Sequence, residues 1–86
     1  MYYVYVLQDE TGSFYTGFTQ DLRRRVEAHN AGASAATRGR CWRLVYYEAY
    51  VSAAAGRRRE LQIKRNGNAR KALMARIVLS LGDGSD

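Results

Sequence analysis

The sequence predicts a small α+β domain, a three-stranded sheet flanked by helices in the order β-β-α-β-α-α. Three observations carry this. Two runs rich in aromatic and β-branched residues, Tyr2 to Gln8 and Ser13 to Phe18, are separated by a short turn segment, the pattern of a hairpin. Two later stretches, starting near Gln20 and Ser52, sort apolar and charged residues onto different faces at helical period. A chain of 86 residues buries only about 60% of its unfolded surface, which favours one thin core and a shallow groove over an enclosed cavity.

Taken in order, Asp9, Glu10, Thr11 and Gly12 supply the hairpin turn, with Gly12 free to take positive φ. Thr19 is expected to cap a first helix running from about Gln20 to Asn30, with Asp21 favourably placed in its first turn. Asn30, Ala31 and Gly32 end that helix. Gly32 to Arg40 is small, polar and basic, and reads as a mobile loop. Trp42 to Val51 is a third strand. Ser52 opens a second helix through about Arg65, Asn66-Gly67-Asn68 breaks it, and a last helix runs from Ala69 to about Leu81. One domain thus covers residues 1–81, followed by a polar tail over 82–86.

Charge gives the first functional pointer. Fourteen Lys and Arg face eight Asp and Glu, for a net +6, and twelve of the fourteen are Arg. The guanidinium fork suits bidentate phosphate contact, so a nucleic acid is the expected partner. The plain alternative is a solvated basic surface. The lone Cys41 excludes an internal disulfide and a Cys-cluster metal site, and reads as a half-buried small apolar residue. No run approaches the ~18 apolar residues that span a bilayer. The N-terminus lacks the residue order of a secretory signal. The expected location is the cytoplasm, with no membrane partner.

Helical phase separates the charged residues. Leu22, Arg25, Val26 and His29 share one face of the first helix, while Arg23, Arg24 and Glu27 lie opposite. An arginine on a core-facing stripe needs a carboxylate, a carbonyl or a bound phosphate, unless it snorkels along its own stem. On the second helix Ala53, Gly56, Glu60 and Ile63 fall together, so Glu60 is on the inward face, with Arg57, Arg58, Arg59 and Lys64 around it in sequence. Two readings stand for Glu60: an ion pair to one of these or to Arg25, or a carboxylate holding a hard divalent cation beside a phosphate. On the hairpin, Tyr5 and Tyr15 are placed to meet across the strands, which is also an ordinary sheet-stabilising pair. Gly17 either admits the close approach of another backbone or marks a bulge.

Together these residues resemble the GIY-YIG nuclease family, in particular its small stand-alone YhbQ-like (UPF0213) group. Tyr3-Val4-Tyr5 stands where the family has Gly-Ile-Tyr, and Tyr15-Thr16-Gly17 where it has Tyr-Ile-Gly. The segment D-L-R-R-R-V-E-A-H-N places the family's arginine at Arg25 and its histidine at His29. R-R-E-L-Q-I-K places its metal-binding glutamate at Glu60. The resemblance covers about residues 2 to 79. It implies a metal-dependent endonuclease that hydrolyses phosphodiester bonds in DNA, with branched or damaged structures as substrates and repair or recombination as the setting. In that scheme Tyr5, Tyr15, Arg25 and His29 are catalytic, Glu60 holds one Mg²⁺ or Mn²⁺ ion, and Gly17 is structural. Arg38 and Arg40 in the basic loop, with Lys64, are the candidate nucleic-acid contacts. A nucleic-acid-binding module with weak or no turnover is the second expectation, and a protein partner the third. The sequence departs from the pattern at Phe18, where some relatives carry a lysine, and at Ala72, where larger relatives carry an asparagine. Gly56 costs its helix roughly 1 kcal/mol relative to alanine, and either permits close packing or leaves the helix weak.

Overall fold

A computed structural model describes residues 1–82. The strands are β1 (Tyr2–Asp9), β2 (Phe14–Thr19) and β3 (Trp42–Tyr50). The helices are α1 (Leu22–Asn30), α2 (Ala53–Arg65) and α3 (Gly67–Leu81). The expected α+β class and β-β-α-β-α-α order are both present. The part of the expected polar tail beyond Gly82 lies outside the described residues.

All strand pairs are antiparallel, in the order β2-β1-β3, so the hairpin's first strand becomes the centre of the sheet. That explains its composition: a central strand with both faces covered has no polar side to alternate with. Val4 and Val6 point to one face and pack with Ile63, Leu73 and Ile77 from α2 and α3. Tyr5 and Leu7 point to the other, with Trp42 and the α1 residues Leu22 and Val26. The domain is a sheet between two helical layers with two small cores, and the candidate site grows out of the α1 side. Against β1, Val45 is an extra residue in β3, because the register passes from Val6↔Tyr46 to Leu7↔Leu44.

Local chemistry sets the element ends. Gly12 takes φ +92° in the hairpin turn, as expected. The Asp9 carboxylate closes that turn by accepting from the backbone of Thr11 and of Ser13 at 2.9 Å each. The cap of α1 is Asp21, not Thr19: the Asp21 side chain accepts from the Arg24 amide at 3.1 Å. The Thr19 hydroxyl instead accepts from the Asp21 amide at 3.1 Å, forming the turn that delivers the cap. Ser52 caps α2 as expected. The break after α2 is one residue, not three. Asn66 alone separates the helices, and its side chain accepts from Ala69 N at 3.0 Å. Gly67 and Asn68 fall in the first turn of α3, where amides lack intrahelical partners anyway.

The segment expected to be mobile is turn-rich and pinned. Thr37 at its middle is fully buried, its carbonyl accepts from the Trp42 indole N–H at 2.8 Å, and its amide donates to the Ser34 carbonyl at 3.2 Å. Cys41, expected to be half-buried, is exposed, because β3 starts one residue later and turns Trp42 inward in its place.

Candidate active site

The site begins with a strand register. Tyr5 lies opposite Gly17 in the β1–β2 pair, and Tyr15 lies opposite Leu7, so the two tyrosines are diagonal neighbours with ring centroids 6.5 Å apart. Gly17 has neither of its two expected roles. The register is unbroken there, and what approaches it is a side chain, not a backbone. A Cβ on Gly17 would fall 2.3 Å from Cζ and Oη of Tyr5. The missing side chain lets the Tyr5 ring lie over β2.

That placement carries the phenol to α1. Tyr5 Oη is 2.7 Å from His29 Nε2, and His29 Nδ1 is 2.7 Å from the Thr37 hydroxyl. Tyr5, His29 and Thr37 are all closed to solvent. The Tyr15 ring meets the imidazole edge-on at 4.9 Å and stands 6.2 Å from the Trp42 ring. Trp42 is itself fixed by the Asn30 amide, which accepts from Trp42 N at 2.7 Å and donates to Trp42 O at 2.9 Å.

Arg25 lies one helical turn before His29, half-buried as its phase requires, whereas Arg23, Arg24 and Glu27 are exposed. Among the described residues it forms no ion pair, so its charge is uncompensated. Its influence is electrostatic. Burial pushes the Tyr5 phenol above its ordinary value, and Arg25 works against that rise. Burial, and then the charge of Arg25, hold His29 below the ordinary histidine value, so the imidazole is neutral at pH 7.

Glu60 comes from α2 and is buried. Its carboxylate is paired with Arg57 at 2.8 Å and Lys64 at 3.0 Å, and not with Arg25. Lys64 links it to the tyrosines, since its ammonium lies 5.8 Å from the centre of the Tyr15 ring. α2 approaches β2 closely because Gly56 has no side chain. A Cβ there would fall 2.7 Å from Phe18 Cε1. Close packing, not a weak helix, is therefore what Gly56 provides. Arg57 lies over the same Phe18 ring at 4.4 Å.

The other basic candidates sit elsewhere. Arg38 is exposed and donates to the Gly32 carbonyl at 3.1 Å. Arg40 reaches the buried Asp9 carboxylate at 3.0 Å, tying the loop to the hairpin turn. A surface depression of about 620 Å³ lies at that hairpin end, lined by residues such as Asp9, Glu10, Cys41 and Arg43, and holds none of the tyrosines. A smaller cleft of about 200 Å³ is lined by Thr19, Asp21, Arg24, Arg25 and Ala28. Of the two depressions it is the one that reaches the site, because Arg25 is among its lining residues.

A phenol against an imidazole, an unpaired guanidinium and a carboxylate that already gathers cations form a set able to move a proton, hold an anion and hold a cation. The small β-β-α-β-α-α domain that carries this set is of the nuclease type. Residues 1–72 match the model of the GIY-YIG catalytic domain, and the chain belongs to the GIY-YIG family. Its relatives include UPF0213 proteins. The chain is 44% identical over 73 residues to the UPF0213 protein of Halobacterium salinarum, covering 83% of this chain and 95% of that protein. It is 43% identical over 67 residues to a UPF0213 protein of Clostridium perfringens, covering 76% and 72%. The solution NMR structure of a UPF0213 protein from Bacillus halodurans matches with a TM-score of 0.54 at 36% identity, over 99% of this chain and 89% of that one. GIY-YIG domains are typically endonuclease domains that use a divalent metal ion. No helix among the described residues is long and apolar enough to cross a membrane.

Thr37, Asn30 and Trp42 escaped the sequence reading as parts of the site. Thr37 and Trp42 lie in or after an aperiodic loop, where no spacing announces which residue turns inward. Asn30 was read only as a helix end.

Proposed function

We propose that this chain is a metal-dependent endonuclease that hydrolyses phosphodiester bonds in DNA, with branched or damaged structures as its preferred substrates. The observation that carries the reading is the 2.7 Å contact between Tyr5 Oη and His29 Nε2 beside the unpaired Arg25. Of the two phenols, Tyr5 has a base behind it, whereas the Tyr15 hydroxyl makes no protein hydrogen bond among the described residues and is left for substrate. Once substrate opens the Tyr5 hydroxyl, which is closed to solvent in the free chain, Tyr5 takes a proton from the attacking water as its own passes to the neutral His29. The water oxygen bonds to phosphorus in line with the departing 3′ oxygen, whose bond to phosphorus breaks. Arg25 holds the charge gathering on the phosphate oxygens, in a setting where burial strengthens the interaction. Tyr15 orients the water, and Arg38, Arg40 and Lys64 contribute charge along the DNA backbone.

A single divalent ion fits Glu60. The carboxylate is held by two cationic side chains, each about half-exposed and so free to withdraw. Magnesium is commonly held by one or two carboxylates, with waters and substrate phosphate completing its shell. Bound there, Mg²⁺ or Mn²⁺ would supply positive charge to the leaving oxygen.

The same pairs favour a second reading, a DNA-binding module with little turnover, because Arg57 and Lys64 already occupy both carboxylate oxygens. Incubation with branched, nicked and single-stranded DNA, with and without Mg²⁺ or Mn²⁺, separates the two. The nuclease reading expects metal-dependent cleavage that falls about 10²–10⁴-fold in Tyr5→Phe, with comparable losses in Arg25→Ala and Glu60→Gln. Cleavage unaltered in both Arg25→Ala and Glu60→Gln would overturn the site. Binding that weakens steeply with salt and leads to no cleavage would establish the module.

A further inference from the structure

Each ring nitrogen of His29 touches a hydroxyl at 2.7 Å, Nε2 that of Tyr5 and Nδ1 that of Thr37. A neutral imidazole carries one proton, and either hydroxyl can donate or accept. Two polarities are consistent with the distances alone. In one, Tyr5 donates to Nε2 and Nδ1–H donates to Thr37. In the other, Thr37 donates to Nδ1 and Nε2–H donates to Tyr5.

The surroundings choose between them. Tyr5 is 1% exposed, and among the described residues His29 is the only hydrogen-bond partner of its hydroxyl. Its other polar neighbour, Arg25, can only donate. Were Nε2 the protonated nitrogen, the phenol proton would be buried with no acceptor, and an unmade buried hydrogen bond costs more than a made one gains. Thr37 has a second outlet, since its hydroxyl also donates to the Ser34 carbonyl at 3.5 Å. That contact is long and weak, but it is available. The Tyr5 proton has no protein equivalent.

We propose that Thr37 is a positioning residue that fixes His29 as the Nδ1–H tautomer, so that Nε2 presents its lone pair to the Tyr5 hydroxyl. The protons then run one way along the chain Tyr5, His29, Thr37, Ser34. Thr37 can hold this role because its peptide is fixed independently of its side chain, by the Trp42 indole on its carbonyl and by Asn30 behind Trp42. The loop is anchored on the imidazole, which explains a buried threonine in a run of small polar residues. The consequence for turnover rests on the nuclease reading, because the lone pair at Nε2 is what would receive the Tyr5 proton. The tautomer itself does not.

The test reads the tautomer first and activity second. His29 is the only histidine, so the two imidazole ¹⁵N shifts of the wild-type protein are unambiguous. The expected result is a pyrrole-type Nδ1 and a pyridine-type Nε2 at neutral pH. Thr37→Val removes the acceptor at nearly constant shape and is expected to shift the ring toward the Nε2–H form, while Thr37→Ser restores the wild-type pattern. In cleavage assays Thr37→Val is expected to lower kcat about 10–100-fold with KM within about 2-fold, as for other groups that orient a functional histidine. A wild-type ring in the Nε2–H form, or a Thr37→Val ring unchanged from a wild-type Nδ1–H form, would overturn the proposal. The wild-type measurement needs no variant, so a misfolded Thr37→Val leaves the proposal still falsifiable. A wild-type Nδ1–H ring restored in Thr37→Ser but lacking any cleavage activity upholds the positioning role and overturns the nuclease reading alone.

Discussion

The ring of Tyr5 lies against the α-carbon of Gly17, so close that a Cβ there would sit 2.3 Å from its Cζ and Oη. The backbone at Gly17 is not in the positive-φ region, so the need for glycine is steric alone. Tyr5 cannot retreat, since its hydroxyl is held by His29 and its ring is enclosed by Leu7, Trp42 and Tyr15. Gly17→Ala is therefore expected to lose about 1–3 kcal/mol, the range for overpacking a filled core. Urea unfolding of a double-mutant cycle checks the cause. In a Tyr5→Ala background the same substitution should cost close to nothing, and an undiminished loss there would refute the clash.

Gly56 sets two effects against each other. Alanine in the middle of an exposed helix would gain about 1 kcal/mol in propensity. Its Cβ would also fall 2.7 Å from Phe18 Cε1. Phe18 has little room to move aside, because Tyr2 stacks on it at 6.1 Å and Arg57 lies over it at 4.4 Å. The clash is expected to win, leaving Gly56→Ala about 1 kcal/mol less stable than the parent by thermal or urea unfolding. Combining it with Phe18→Leu should recover the helical gain. A stabilised single variant would show that the ring yields freely.

The unpaired charge of Arg25 predicts a titration. Burial first, and the guanidinium second, hold His29 below its ordinary value. Removing the charge in Arg25→Ala favours the imidazolium. The pKa of the single histidine, followed by NMR, should rise in Arg25→Ala and stay near the parent value in Arg25→Lys. A fall in Arg25→Ala would mean that Arg25 does not face the ring.

How far this site could be read in advance depended on period. Arg25, His29 and Glu60 lie on helices, where phase alone turns a residue inward, and the structure buries or half-buries all three on the expected side. Tyr5 and Tyr15 were legible as strand residues, but their diagonal offset depends on the hairpin register, which the turn composition did not specify. The cap of α1 was ambiguous because Thr19 and Asp21 are both capping types two residues apart, and the choice is made where the chain leaves β2. Arg40 and Asp9 are 31 residues apart, and nothing local in either announces the other. Thr37 was the hardest to foresee. Its hydroxyl meets His29 and its carbonyl meets Trp42, and both partners arrive only through tertiary packing.

A polar cluster on the opposite face predicts how stability should follow pH. The Glu48 carboxylate in β3 accepts from the Tyr46 and Tyr50 hydroxyls and from Arg59 of α2, whose Nε and Nη2 both lie 3.0 Å from a carboxylate oxygen. Burial works to raise the Glu48 pKa, but the hydrogen bonds from Arg59, Tyr46 and Tyr50 together overcome it and leave it below the ordinary value. The folded protein thus binds that proton less tightly than the unfolded chain does. Its contribution is complete above the unfolded pKa of 4.5 and is lost as pH falls through the folded one. Tyr50 has the opposite sign. Burial, and then the bond to Glu48, push its phenol up to about 12. Its contribution is complete below the ordinary value of 10.0 and is lost as pH climbs through about 12. Urea unfolding across the pH range should therefore show a plateau bounded by an acid limb and an alkaline limb. Glu48→Gln keeps the shape but removes the charge that Arg59 and both phenols share, and should cost about 2–4 kcal/mol at pH 7. It should also shrink both limbs, whereas Tyr50→Phe should shrink mainly the alkaline one and the acid one less, because Tyr50 is one of three donors to Glu48. An acid limb unchanged in Glu48→Gln would mean that this carboxylate does not tie β3 to α2.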